Sequence, residues 1–312
     1  MAARELVATC RELGVGACGR KLSAVVRKEL PVLLTGRRTA ASVGAYFDLI
    51  TDDGRLFYGD SFHLGYFRQG VASLGEALDA HTELVAEMVR LAAGMHVLDV
   101  GCGIGAPAVQ IARRHDCRVT GINVSREQVR QGRELVEAHR LSERVVIRRG
   151  DARALDLPDR SFDAVVCIEA AGDICVKPTD KARLVAELYR VLRPGGYVGF
   201  SDLTLSACPT AADDRALRAV LYHAGADLVT DWPAMFARGG FRVIEQRDIA
   251  AETMPSWDHA RAVYAKRGGE VERRYGRTIA TRTHAHLDRI AALLSEHGSF
   301  PVLSAQKPEQ SR

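Results

Sequence analysis

Three glycines at alternate positions, Gly101, Gly103 and Gly105, give the first indication of chemistry in this chain. They follow an apolar, partly β-branched run at 97–100 and precede a segment with helical spacing at 106–114. Glycine lets the backbone turn tightly and approach a ligand closely. A buried strand, a glycine turn and a helix N-terminus together form the usual nucleotide cradle of open α/β sheets, so we predict a nucleotide-containing ligand here.

An acid, Glu169, stands at a second position where chemistry is expected. It directly follows the apolar run at 162–168, which we predict to be a buried strand. The ligand of an open α/β sheet lies beyond the carboxyl ends of the strands, so Glu169 should lie near the glycine turn. An aromatic stretch earlier in the chain, with Tyr46, His63 and Tyr66, supplies further side chains that could face the ligand.

Alternating strands and helices must position these residues. We predict helices at 106–114, 179–192 and, as a pair, 257–297. The predicted strands lie at 97–100, 118–122, 145–147, 162–168, 197–203, 241–249 and 299–305. This alternation predicts an α/β fold, a Rossmann-like sheet of seven mostly parallel strands with helices on both faces.

Composition limits the classes of function. The chain has 312 residues, 47% hydrophobic and 26% charged, which is enough for a large domain with an ample core. Its net charge of +4, without a long basic block, argues against a nucleic-acid-binding surface. We predict no stable membrane association, because no apolar run reaches about 18 residues. Seven cysteines without a CxxC pair are typical of reduced thiols and of a cytoplasmic protein.

Two further features accompany the glycines. The acid Asp151 follows the predicted third strand, and a Leu-Arg-Pro-Gly-Gly turn lies at 192–196. With the spacing Asp-x-Gly-x-Gly-x-Gly, these features resemble the class I S-adenosylmethionine (SAM) methyltransferases over about residues 40–307. The resemblance implies SAM as cofactor, bound by Asp99, Gly101, Gly103, Gly105, Asn123, Gln128, Asp151, Ala152 and Tyr46.

Asn123 departs from the usual pattern of SAM and dinucleotide sites, in which an acid ends the second strand and holds the ribose hydroxyls. An amide can still hydrogen-bond a diol, and Gln128, one helical turn further along, could assist. The family resemblance also implies that Asp151 accepts a hydrogen bond from the adenine amino group and that the next backbone amide, at Ala152, binds the ring.

A narrower resemblance links the chain to sterol and isoprenoid C-methyltransferases and related natural-product methyltransferases. It rests on Ile168-Glu169-Ala170 and on the aromatic stretch at 46–67. It implies a helical lid at 1–70, a SAM-binding domain at 71–307 with a helical cap insertion at about 204–231, and a tail at 308–312. The candidate catalytic residues are Glu169, His63, His223 and Tyr66, and the candidate substrate-binding residues are Tyr58, Lys177, Lys181, Arg183, Tyr222 and Trp257.

The function favoured by these residues is C-methylation of an isoprenoid alkene, such as geranyl or farnesyl diphosphate. Methylation of an alkene leaves a tertiary carbocation, which Glu169 could stabilise and deprotonate beside aromatic faces. Basic side chains such as Lys177, Lys181 and Arg183, or a Mg²⁺ ion, would hold the diphosphate.

Three alternatives stay open. The chain could methylate an oxygen or nitrogen of a secondary metabolite, with His63 or His223 as base. It could cyclopropanate a lipid, since the segment 46–76 is similar in cyclopropane fatty acid synthases. It could also bind SAM without catalysis. In each case the expected partner is a small molecule, and the short helices predicted at 1–40 could form a homodimer contact.

Overall fold

The computed structural model describes residues 39–175, 178–207, 209–220, 228–275 and 277–309. The helices in these ranges are α1 Ala40–Tyr58, α2 Leu74–Met88, α3 Ala106–His115, α4 Arg126–Ala138, α5 Ala171–Ile174, α6 Pro178–Val191, α7 Ala211–Val220, α8 Trp232–Arg238, α9 Ala250–Tyr275 and α10 Arg277–His297. The strands are β1 His96–Val100, β2 Arg118–Asn123, β3 Val145–Arg149, β4 Phe162–Ile168, β5 Leu192–Ser201, β6 Thr204–Leu205, β7 Arg242–Asp248, β8 Gly298–Ser299 and β9 Pro301–Gln306.

Seven of the strands form the main sheet, in the order β3-β2-β1-β4-β5-β9-β7. The first five run parallel to one another, whereas β9 lies antiparallel between β5 and β7. The short strands β6 and β8 form a separate antiparallel pair. The predicted α/β class, with a mostly parallel seven-stranded sheet, is therefore confirmed.

Alternating side chains along the strands build a core on each face of the sheet. In β4, Ala164 and Val166 pack into a cluster with α2, α3 and α4, while Val165 and Cys167 pack on the other face against α6 and α8. All four of these side chains are fully buried. Such two-sided burial is what a parallel sheet covered by helices on both faces requires.

The fifth strand begins earlier than the sequence predicts. We expected a helix through Leu192 and a strand from Tyr197, but β5 starts at Leu192, which pairs with Phe162. The pairing then shifts register between Phe162 and Ala164. That irregularity accommodates the Pro-Gly-Gly turn, in which Gly195 has a φ of +80° that favours glycine.

Residues 39–67, the lid segment, are tied to the core by polar contacts. On α1, Asp48 Oδ1 accepts hydrogen bonds from the Ser125 hydroxyl at 2.7 Å and the Glu127 N–H at 3.0 Å, at the start of α4. Further along, the Gly65 N–H donates to Ser256 Oγ at 2.8 Å and the Tyr66 N–H to the Ala77 carbonyl at 2.8 Å. The remainder of the predicted lid, at 1–38, lies outside the described residues.

The region predicted as a cap insertion, about 204–231, contains β6 and α7 in its described parts.

Beyond the sheet, Lys307 is buried and its ammonium donates to the carbonyls of Tyr189 and Leu192 at 2.6 and 2.8 Å, so a cation lies at the C-terminal end of α6. Across the described ranges, no helix combines the length and apolarity that a membrane span needs.

Candidate active site

The glycine turn after β1 has the backbone that its sequence predicts. Gly101, Gly103 and Gly105 adopt φ values of +74°, +54° and +83°, in the left-handed region where side chains are strained. A Cβ at Gly101 would lie 2.2 Å from the Cβ of Ala170, which directly follows Glu169. The glycine turn and the end of β4 therefore pack in direct contact.

Asn123 shapes this turn through its own amide. Its Nδ2 donates to the Gly103 carbonyl at 3.1 Å and to Gln128 Oε1 at 2.8 Å, and its Oδ1 accepts from the Ser125 N–H at 3.0 Å. The Nε2 of Gln128 is buried and has no hydrogen-bond partner in the part of the chain that the structure describes. An unsatisfied buried donor is costly, so Gln128 offers a hydrogen bond to a ligand while Asn123 holds the turn.

A cavity of about 90 Å³, the donor cavity, adjoins the turn. Five of the predicted cofactor residues line it, Gly101, Gly103, Asn123, Gln128 and Ala152, together with Phe47, Phe62, Glu169 and Asp173. Tyr46 lines a neighbouring cavity instead, and Gly105 is the N-cap residue of α3.

Two predicted cofactor acids lie outside this lining. Asp151 pairs with Arg153, with 2.8 Å between Oδ2 and Nη2. Burial opposes its ionisation, but hydrogen bonds from Arg153 outweigh that effect and hold the pKa of Asp151 below its ordinary value. Asp99 is buried inside β1, and its Oδ2 has no hydrogen-bond partner within the described ranges. Burial raises the pKa of Asp99 to about 7.

The neighbouring cavity, the acceptor cavity, has a volume of about 150 Å³. It shares Phe47, Phe62, Glu169 and Asp173 with the donor cavity, so these residues form the junction between the two. Its other lining residues include Tyr46, Ile50, Tyr58, His63, Leu64, Asp202, Leu203, Leu228 and Trp257. The predicted residues Tyr46, Tyr58, His63 and Trp257 thus come together with Glu169.

Glu169 is held in an unusual backbone conformation at that junction, with a φ of +47°. Its Oε1 accepts a hydrogen bond from the Leu64 N–H at 2.5 Å and lies 3.7 Å from Nδ1 of His81. Burial raises the pKa of Glu169 well above its ordinary value, and Asp202 and Asp173 add to that effect, while the Leu64 N–H opposes it. A strained residue with such a carboxyl is typical of a functional site.

Two buried histidines stand beside Glu169. Nδ1 of His63 lies 2.9 Å and Nδ1 of His81 lies 2.7 Å from the Leu64 carbonyl. Because a carbonyl can only accept, each Nδ1 carries the proton, and each Nε2 accepts from a hydroxyl, of Thr82 and Ser201 respectively. Burial lowers the pKa of His63 to about 4 and, with repulsion from His63, that of His81 to about 3.

The contacts of the two histidines and Glu169 decide which residue can act as a base and which metal ion could bind here. Both ring nitrogens of His63 are already hydrogen-bonded, which leaves Glu169 better placed than His63 to take a proton. Among the described residues, His63, His81 and Glu169 bring their ligating atoms within 4.8 Å of one another. Mg²⁺ prefers oxygen ligands, so two imidazoles and one carboxylate do not fit the magnesium ion that a diphosphate would need.

Other predicted residues do not join the site. Tyr66 is partly buried and packs against the core, and it lines neither cavity. Lys181 is buried, and its ammonium donates to the Thr230 hydroxyl, while Arg183 is exposed on α6. Lys177, Tyr222 and His223 lie outside the described residues. The described residues that line the acceptor cavity therefore include no lysine or arginine.

Two residues beside Glu169 were not identified as candidates from the sequence. His81 lies on the apolar face of α2, where helical spacing indicates only a core residue. Asp202 directly follows β5, as Glu169 follows β4, and this position at the sheet edge could have identified it. Burial raises the pKa of Asp202 to about 7, although the Gly172 and Leu203 N–H groups and the Lys181 charge oppose the shift.

Comparisons with known proteins identify the family to which this chain is similar. Residues 97–196 match the family model of a methyltransferase domain. The chain is 30% identical over 275 residues to 27-O-demethylrifamycin SV methyltransferase of Amycolatopsis mediterranei, covering 87% of this chain and 98% of that protein. It is 37% identical over 161 residues to a sterol 24-C-methyltransferase of Yarrowia lipolytica, which is 52% of this chain and 41% of that protein.

Among solved structures, the [4+2]-cyclase SpnF has a TM-score of 0.73 and 28% identity, covering 87% of this chain and 97% of that chain. The fold, the glycine turn and a full-length relative together identify the family. The chain belongs to the SAM-dependent methyltransferases that act on small molecules.

Proposed function

We propose that this methyltransferase transfers a methyl group to an alkene carbon of an isoprenoid small molecule, and that Glu169 accepts the proton lost from the resulting cation. The position of Glu169 carries the proposal, because its carboxyl lines both the donor and the acceptor cavity. The aromatic side chains of Phe47, Phe62 and Tyr58 line the acceptor cavity together with Glu169.

The residues that line the donor cavity include groups suited to binding SAM. Gly103 lines this cavity at a φ of +54°, and a Cβ there would only make van der Waals contact with Phe62, at 3.7 Å. Gln128 offers its unpartnered Nε2. When bound, SAM supplies an electrophilic methyl group on a sulfonium. This chain's residues then have to align the acceptor and exclude water.

The lining of the acceptor cavity suits a short-lived cation. When the alkene carbon gains a methyl group, positive charge develops on the neighbouring carbon, and aromatic faces attract such a charge. Burial favours the neutral form of Glu169, whereas a nearby cation favours the carboxylate. Loss of a proton to Glu169 Oε then restores a double bond in the product.

The acidic side chains that line the acceptor cavity limit which head group the acceptor can carry. Glu169, Asp173 and Asp202 line the acceptor cavity, and its described lining includes no basic side chain. A diphosphate would be repelled by these carboxylates unless residues outside the described ranges, Lys177 among them, supply the cation. A neutral prenyl alcohol is therefore the acceptor we propose ahead of geranyl or farnesyl diphosphate.

O-methylation is the second candidate, and a specific relative favours it. The Amycolatopsis protein, whose name places its reaction at an oxygen, is similar over 98% of its length. In that reaction Glu169 would take the hydroxyl proton as general base. The product then carries its new methyl group on oxygen, with the alkene unchanged.

A labelling experiment separates the two candidates. The enzyme is incubated with trideuteromethyl SAM and with geraniol, farnesol and their diphosphates, each with and without Mg²⁺, and the products are analysed by mass spectrometry and NMR. We expect the label on carbon. A label found on oxygen supports the second candidate, and S-adenosylhomocysteine formation without a labelled isoprenoid overturns the choice of acceptor.

The variants Glu169→Gln and Asp173→Asn give a matched pair, since both residues line both cavities. Removing a proton acceptor should lower kcat about 10²- to 10⁴-fold in Glu169→Gln. For C-methylation, products of rearrangement or water capture should also accumulate. In Asp173→Asn, kcat should fall less than about tenfold. Equal losses in the two variants would contradict the role of Glu169.

A further inference from the structure

His81 joins the candidate active site to the core through Leu64 of the lid segment. Its Nδ1–H donates to the Leu64 carbonyl at 2.7 Å, and its Nε2 accepts from the Ser201 hydroxyl at 3.0 Å. The N–H of the same Leu64 donates to Glu169 Oε1 at 2.5 Å. We propose that His81, with Ser201, is a positioning residue that holds Leu64 so that its N–H keeps the Glu169 carboxylate oriented and ionisable. This inference rests on the proposed role of Glu169.

The geometry makes His81 a rigid anchor. Its side chain is fully buried and packs edge-on against Phe300, with ring centroids 5.5 Å apart, and against His63 at 5.0 Å. Ser201, at the end of β5, fixes the tautomer by donating to Nε2. Both α2 and β5 belong to the core, so the hydrogen bonds of the imidazole fix Leu64 of the lid segment relative to the edge of the sheet.

The Leu64 N–H matters because the other groups around Glu169 disfavour its charge or are neutral. Asp202 after β5 and Asp173 on α5 repel a carboxylate, and burial itself opposes ionisation. Tyr58 on α1 and the two histidines are uncharged at neutral pH. A backbone donor aimed at the carboxylate works in the opposite direction and lowers its pKa. Losing Leu64 from this position would therefore leave Glu169 protonated to higher pH.

Two substitutions of His81 distinguish the effect of its Nδ1–H donor from the effect of its ring volume. His81→Asn places an amide N–H near the position of Nδ1, whereas His81→Phe keeps the ring volume and removes both polar contacts. In His81→Phe we expect the acid limb of the kcat–pH profile to move up by about one unit, with about a tenfold loss of kcat below it. His81→Asn should recover most of this shift.

Hydrogen exchange measures the anchor without relying on catalysis. The amides of residues 63–67 should exchange about tenfold faster in His81→Phe than in the wild type, and Ser201→Ala should show a smaller change in the same direction. The matched control is His96→Asn. His96 also pairs with a hydroxyl, that of Thr120 at 2.9 Å, but at the opposite end of the sheet, so neither measurement should change.

The possible outcomes are distinct. If Glu169→Gln retains wild-type kcat, the proposed function fails, and this inference fails with it. If Glu169→Gln is inactive but His81→Phe keeps the wild-type pH profile and the wild-type exchange at 63–67, the inference alone is overturned. If His81→Phe does not fold, Ser201→Ala decides, because it removes the hydroxyl that donates to Nε2 and fixes the imidazole tautomer. Faster exchange at 63–67 in Ser201→Ala then supports the inference, and wild-type exchange overturns it.

Discussion

Replacing Asp99 by Asn should stabilise this protein relative to the wild type, by an amount that grows as the pH rises from 5 to 8. Asp99 is 2% exposed within β1, and its Oδ2 has no hydrogen-bond partner. Burial of the charged form raises its pKa from the ordinary 3.8 to about 7. The amide of Asn has nearly the same shape and does not ionise, so the substitution isolates the effect of the charge.

The direction follows from proton linkage. Below pH 3.8 the carboxyl is protonated in both the folded and the unfolded chain, and it does not oppose folding. As pH rises towards 7 the unfolded chain ionises first, so stability falls at about 1.4 kcal/mol per pH unit until the folded carboxyl also ionises. The loss is about 4 kcal/mol once both are ionised, and more than half of it develops between pH 5 and pH 8.

Urea unfolding of the wild type and of Asp99→Asn across this pH range measures the effect. Other buried acids contribute equally to both proteins and cancel in the difference. Asp163→Asn provides a control of opposite sign. Burial disfavours its charge, but the His96 N–H and Arg193 hold the pKa of Asp163 below its ordinary value, so this variant should lose stability at neutral pH. A difference between wild type and Asp99→Asn that stays constant from pH 5 to 8 would refute the reasoning.

Three further substitutions test the cavities. Gly101→Ala should abolish SAM binding in calorimetry, because the new Cβ would lie 2.2 Å from the Cβ of Ala170 and the backbone φ is +74°. Adding Ala170→Gly should restore only part of the SAM affinity, since the backbone strain at position 101 remains. Asn123→Asp should weaken SAM binding about tenfold and lower the melting temperature, since an oxygen would replace the donor that faces the Gly103 carbonyl. Trp257→Phe should raise KM about tenfold for an acceptor that bears an oxygen, with the Kd of SAM unchanged, because the buried indole N–H has no partner among the described residues. Unchanged values in these calorimetric and kinetic measurements would contradict the corresponding contact.

The sequence predicted the sheet and the glycine turn because both depend on local patterns. Apolar runs mark the buried strands, and the spacing of Gly101, Gly103 and Gly105 requires a left-handed turn whatever surrounds it. Glu169 was predictable for a related reason, since a residue that directly follows a parallel strand must lie at the ligand-binding edge.

Side-chain roles that depend on distant partners could not be predicted in this way. Helical spacing assigns His81 to the core, but its role depends on Leu64, seventeen positions away, and on Ser201, which is 120 positions away. Asn123 carries an amide suited to a ribose, yet that amide is used within the protein. Lys181 has the charge to bind a phosphate, but packing of α6 buries it beside Thr230.

The placement of β9 between β5 and β7 has a consequence for how the chain reaches its folded state. Ribosomes deliver β5 and β7 well before Pro301–Gln306, and until that last strand arrives β7 has no hydrogen-bonding partner in the main sheet. Completion of the sheet is therefore a late, long-range event, of the kind that slows folding and exposes strand edges to aggregation. During synthesis, the interval between β7 and β9 is therefore the period in which the edges of β5 and β7 that will pair with β9 are open to pairing with other chains.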